Sequence, residues 1–150
     1  MQIFEYRARF EPGERKGTLV VSFPDVPEAI TEGKGEAQAR ANAEEALGLA
    51  LLSYPQRGLA LPKPRARGAK LVSIAVEPEI AAKLALLEAI RERGLSKSAF
   101  ARLIGRDEKE VRRILDPRHS TKLSTLSEAL RALGQQMVIK TERLRELVPA

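Results

Sequence analysis

The chain has 150 residues, 43% of them hydrophobic and 4% aromatic, enough for one ordinary domain or two small ones. With no cysteine and a single histidine, disulfides, thiolate metal sites and cysteine nucleophiles are excluded, and there is no histidine pair to hold a metal. Twenty-six basic residues against 20 acidic ones leave a formal charge of +6, a moderate excess that favours a polyanionic partner.

Residues 2–10 alternate with the period of a strand: Ile3, Glu5, Arg7 and Arg9 on one face, Phe4, Tyr6, Ala8 and Phe10 on the other. EPGERKG supplies turn residues and TLVVSF a second β-rich run ending at Pro24, so residues 2–23 read as a hairpin with a loop of five to seven residues. AITEG follows as a short third strand. The opening segment has no apolar stretch of signal-peptide length, and no run approaches the roughly 18 apolar residues of a membrane span. The expectation is a soluble cytoplasmic protein without a membrane partner.

From Glu36 to Pro55 the spacing becomes helical, with Ala39, Ala43, Ala46, Leu47, Ala50 and Leu51 three and four apart, and the alanines suit close packing on a sheet. Residues 58–70 carry the prolines, glycines and four cations (Lys63, Arg65, Arg67, Lys70) of a linker or exposed loop. LVSIAV is a fourth strand candidate able to return to the first sheet. Helices are then expected at 78–93, 97–104, 108–115 and 123–133, ended by Gly94, Gly105, Pro117 and Gly134. The tail MVIKTERLRELV admits a strand and then a helical turn, and its pattern does not choose. Residues 137–139 within it form an apolar strand able to pair with its own copy. Charge divides unevenly: seven basic and nine acidic residues lie in 1–57, fifteen and eleven in 71–150.

The stretch 95–115 has the rhythm of two short helices meeting at a glycine. Ser96 can cap the first, and Asp107 with Glu110 has the spacing of a capping box at the second. Ala101 marks a close crossing and Gly105 a turn needing positive φ. Val111, Ile114, Phe100, Leu103, Ile104 and Leu115 form the expected buried side. That leaves Glu108, Lys109, Arg112 and Arg113 outward, a set able to read base edges if the second helix enters a major groove. Lys97, Ser98 and Arg102 on the first helix, with Arg118, Ser120, Thr121 and Lys122 in the next loop, can hold phosphates. The bland alternative is a solvated face, with eight basic and four acidic residues between 96 and 122.

Two stretches together resemble a known family. "VSFPDVPEAITEGKGEAQARANAEEALGLAL" is similar to the HicB antitoxin domain, and "SIAVEPEIAAKLALLEAIRERGLSKSAFARLIGRDEKEVRRILDPRHSTKLSTLSEALRALGQQ" resembles the C-terminal helix-turn-helix of one HicB subgroup. The resemblance covers nearly the whole chain in the same order. It implies an α+β protein in two parts. Residues 1–76 would form a degraded RNase H-like ββ(β)αβ domain that binds a HicA-type RNA-cleaving toxin. Residues 77–150 would form an all-α helix-turn-helix domain, Xre or lambda-repressor-like, that binds operator DNA and oligomerises as a dimer or tetramer. It places Phe23, Pro24 and Asp25 in the toxin-binding domain's signature. Arg106 departs from the small apolar residue usual after the turn glycine; its aliphatic stem is expected to cover the core while its charge meets solvent or phosphate.

A nuclease reading of such a fold would need converging carboxylates for metal ions. Only Asp25, Glu28 and Glu32 lie near strand ends, with Glu44 and Glu45 on the helix, so no enzyme, metal or cofactor is expected, and Asp25 reads as a turn residue. His119, without a second histidine, reads as a loop residue or phosphate contact. The expected function is an antitoxin that binds its toxin and represses its own operon. The alternatives are a stand-alone helix-turn-helix regulator with an N-terminal ligand-binding or dimerisation domain, and an interaction module with an idle helical bundle.

Overall fold

The computed structural model describes residues 1–146. Three strands, β1 (Glu5–Pro12), β2 (Thr18–Ser22) and β3 (Ile30–Lys34), lead into helix α1 (Gly35–Gln56) and strand β4 (Val72–Ala75). Four helices follow: α2 (Pro78–Glu92), α3 (Lys97–Ile104), α4 (Glu108–Leu115) and α5 (Leu123–Ala132). The fold is α+β, with one antiparallel sheet in the order β3-β2-β1-β4. Among the described residues no helix is long and apolar enough to cross a membrane. Residues 137–146 hold neither the strand nor the helical turn read from the tail's pattern, and Leu147 and Val148 lie outside the described residues.

The β period places the core. Tyr6 and Ala8 of β1 are buried while Arg9 is exposed, and the turn at residues 13–17 sets Phe10 opposite Val21. Helix α1 covers that inner face through Ala39, Ala43, Leu47 and Leu51, each without exposed surface. Alanines at these positions let the helix axis approach the sheet closely, and Gly33 shows how closely. A Cβ there would stand 2.5 Å from the Ala39 backbone nitrogen and 2.6 Å from its Cα.

Topology explains the long connection between α1 and β4. Tyr54, near the end of α1, donates to the Glu28 carboxylate just before β3, so α1 runs back along the sheet. Since β4 is antiparallel to β1, and so to β3, the helix delivers the chain to the end where β4 finishes, and residues 57–71 must climb back before β4 begins. They do so as an exposed but tethered strap. The Tyr6 hydroxyl donates to the Pro62 carbonyl at 2.7 Å, and the Asp25 carboxylate accepts from the backbone N–H groups of Arg65 and Ala66 at 2.9 and 2.7 Å.

Helix α2 belongs to two cores. Its Leu84 joins the sheet and α1, while Ala82, Leu86 and Ala89 join Phe100, Val111, Ile114, Leu126 and Leu130 of the later helices; half-buried Leu87 packs against both. Glu77 caps this helix by accepting from Ile80 N–H at 3.1 Å, and Pro78 suits its first turn, where no backbone donor is required.

Two tests follow from this packing. Gly33→Ala should cost about 1–3 kcal/mol in chemical denaturation, because backbone rather than a flexible side chain blocks the methyl group; an unchanged midpoint would contradict the close approach. The second test concerns Tyr6, whose phenol is pushed up to about 12 by burial and then by Asp25, Glu88 and Tyr54. Above pH 10 an unfolded chain releases this proton while the fold retains it. Tyr6 therefore contributes stability that is present below pH 10 and lost as pH rises toward 12, a change of order 2 kcal/mol. Denaturation of Tyr6→Phe across that range should show the slope reduced.

Candidate nucleic-acid interface

Helices α3 and α4 are each eight residues long, too short to stand without caps and tertiary packing. Ser96 Oγ accepts from Ala99 N–H at 3.0 Å, and Asp107 Oδ1 accepts from Glu110 N–H at 2.8 Å, so both helices begin as the sequence pattern requires. Between them Gly105 takes the left-handed conformation, φ 69°, a region that favours residues without a Cβ. Ala101 is buried at the crossing, and Phe100, Val111, Ile114 and Leu115 enter the second core. Leu103 departs from the expected buried side: it is 44% exposed, lying on the flank of a stripe already filled by Phe100, Ala101 and half-buried Ile104.

The residues singled out for DNA contact divide into three groups. Lys97, Arg102, Lys109, Arg112, Arg113 and Lys122 are exposed and make no ion pair among the described residues. Ser98 and Glu108 hold one another: the hydroxyl on α3 donates to the carboxylate at the start of α4. Arg106 and Arg118 have acidic partners, Glu128 at 3.8 Å and Asp116 at 3.3 Å. The charge of Arg106 thus goes to α5, with its side chain still 35% exposed. The Arg118 backbone N–H holds the Asp116 carboxyl below its ordinary value; burial opposes it, and the Arg118 guanidinium and the Lys83 charge add to the lowering.

Sequence reasoning missed the group that fixes the loop after α4. Lys83 of α2 is fully buried, and its Nζ donates to the carbonyls of Asp116 and His119 and lies 3.7 Å from Glu79. Glu79 in turn accepts from Thr121 N–H at 2.8 Å and from Ser120 Oγ at 3.5 Å. Ser120 and Thr121, read as phosphate ligands, are therefore engaged within the protein, and exposed His119 serves the structure through its backbone. Burial pushes the Lys83 ammonium below the ordinary lysine value, while Glu79 and Asp116 oppose that shift. The signal was present in IAAKLALLEAI: a lysine inside a helix apolar on most sides faces an interface wherever it points.

The signature Phe23-Pro24-Asp25 is also mainly structural. Phe23 is 2% exposed in the first core and presents no surface to a partner, and Asp25 holds the strap; Pro24 alone of the three is exposed. Glu28, weighed as a metal ligand, is bound by Tyr54 and lies 3.6 Å from Arg57. Among the described residues no three histidine or carboxylate side chains gather as a metal site would.

No family model matches the chain. It is 37% identical over 132 residues to antitoxin HicB 2 of Photorhabdus laumondii, covering 88% of this chain and 92% of the relative. Antitoxin HicB 1 of the same organism is 34% identical over 137 residues, 91% of this chain and 86% of the relative. Antitoxin HicB of Escherichia coli K12 is 32% identical over 122 residues, 81% and 88% respectively.

Lys83→Met keeps the aliphatic volume but removes both donors from the 116–121 loop. Stability should fall by about 1–3 kcal/mol, and amide hydrogen exchange should accelerate at Arg118 and Thr121. Unchanged protection at those amides would show that the loop holds itself.

Proposed function

Because the chain belongs to the HicB antitoxin family, we propose that it neutralises a small HicA-type toxin by direct binding and represses its own operon through α3 and α4. In this reading the sheet and α1 are a degraded RNase H-like unit that meets the toxin. The four later helices are a helix-turn-helix unit with α4 in the major groove, and the protein acts in the cytoplasm without enzymatic activity. The observation that carries the DNA half is the row Lys109, Arg112 and Arg113, exposed and unpaired among the described residues on a helix whose other side is buried. Lysine and arginine so placed release counterions from phosphate, and arginine can pair with guanine.

The toxin half rests on charge as well as on kinship. Residues 1–57 carry seven basic and nine acidic groups, a surface that would speed encounter with a basic RNA-binding protein. Of the signature triplet, Pro24 offers the surface, while Phe23 and Asp25 act by shaping what surrounds it. Paired by two-fold symmetry as a dimer or larger oligomer, two copies of α4 would meet half-sites about one DNA turn apart or a multiple of it.

The test combines two readouts. Co-expression with the product of the adjacent short reading frame should restore growth that the short protein alone suppresses. Changing Lys109, Arg112 and Arg113 to alanine should leave that rescue intact. The same variant should weaken binding to the operon's upstream DNA at least tenfold and lower the slope of log affinity against log salt by up to about 3. Absence of rescue would sink the antitoxin role; unchanged DNA affinity would sink the role of α4.

A further inference from the structure

We propose that the strap between α1 and β4 is a second DNA-contacting element, which grips phosphates through Lys63, Arg65, Arg67 and Lys70. Residues 58–76 contain no acidic side chain, and all four cations are exposed. Among the described residues none of the four forms an ion pair; Arg67 donates only to the carbonyls of Pro64 and Ala66. Lys63, Arg65 and Arg67 occupy alternate positions on a segment with prolines at 62 and 64, so the charges recur along the chain at about 6 Å. A regularly charged polyanion rewards such a row whatever its base sequence.

The strap is also held in place beforehand. Asp25 accepts from two successive backbone N–H groups, at Arg65 and Ala66, and Tyr6 fixes the Pro62 carbonyl. The Asp25 carboxylate thus binds the strap's backbone and, among the described residues, forms no ion pair with its cations. Anchoring a cationic loop lowers the entropy lost when it grips a ligand, and it gives the FPD aspartate a role: it presents the strap.

The inference rests on the reading that this protein binds DNA, but it involves different residues from α4, and the two can fail separately. The probe is a random-sequence DNA duplex titrated over a range of salt concentrations with the full chain. Lys63, Arg65, Arg67 and Lys70 changed together to alanine should weaken binding about tenfold and lower the salt slope by about 3. Thermal unfolding should be unchanged, since these side chains are exposed. Arg65→Lys with Arg67→Lys should retain the slope, because charge rather than guanidinium geometry is required. A normal slope in the alanine variant overturns the inference, and if growth rescue is lost at the same time the strap belongs to the toxin contact instead. A reduced slope in the strap variant with a normal one in the α4 variant upholds the strap and overturns the role of α4. No binding by the unaltered protein overturns both.

Discussion

One buried ammonium ties the helix shared by both cores to the loop after α4. Lys83 sits in α2, the helix shared by both hydrophobic cores, and an isolated cation there would carry a heavy desolvation penalty. Two backbone carbonyls from the loop after α4, with Glu79 one turn away on α2, offset it. The requirement runs both ways. The Asp116 and His119 carbonyls also accept from the His119 N–H and the Thr121 hydroxyl inside the loop, while Glu79 holds the Thr121 N–H, so helix and loop are each ordered by the other. No buried polar side-chain atom among the described residues is left without a partner.

That tie has a consequence for communication across the molecule. A cleft of about 350 Å³ is lined by α1 residues such as Glu44, Gly48 and Leu52, by Glu77 and Ile80 of α2, and by Pro117 and Arg118 of the tied loop. The sheet's covering helix and the connection leaving α4 are therefore separated by a few side chains. In the proposed function, where one half meets a toxin and the other an operator, coupling requires that each ligand favour different arrangements of some shared element. Helix α2 with its lysine-bound loop is the element both halves contact.

Local signals made most of the fold legible. Alternation in MQIFEYRARF, the turn residues after it, the alanine spacing of α1, and the caps Ser96, Asp107 and Gly105 each depend on a few neighbouring residues, and each element stands within a residue or two of its expected place except β1, which begins three residues late at Glu5. What escaped was decided by tertiary partners. Residues 58–70 have a linker's composition, yet Asp25, forty residues earlier, pins them to the sheet. Leu103 looks like core by type, but an eight-residue helix has a narrow buried stripe and Phe100 and Ala101 already fill it. Ser98 and Glu108 read as separate DNA contacts because nothing within either helix reveals that the turn brings them together.

The acids at the start of α4 give that surface a direction. Asp107 caps the helix, Glu108 is bound by Ser98, and both sit at the positive end of the helix dipole, where carboxylates are stabilised. Phosphate approaching this end would meet negative charge beside Lys109, whereas the last turn offers Arg112 and Arg113. The proposed DNA contact is therefore asymmetric along α4, with its phosphate affinity weighted toward the second turn. Ser98 binds only Oε1 of Glu108, which holds the carboxylate in place and leaves Oε2 able to accept from a cytosine amino group, while a group offering only acceptors finds no donor there.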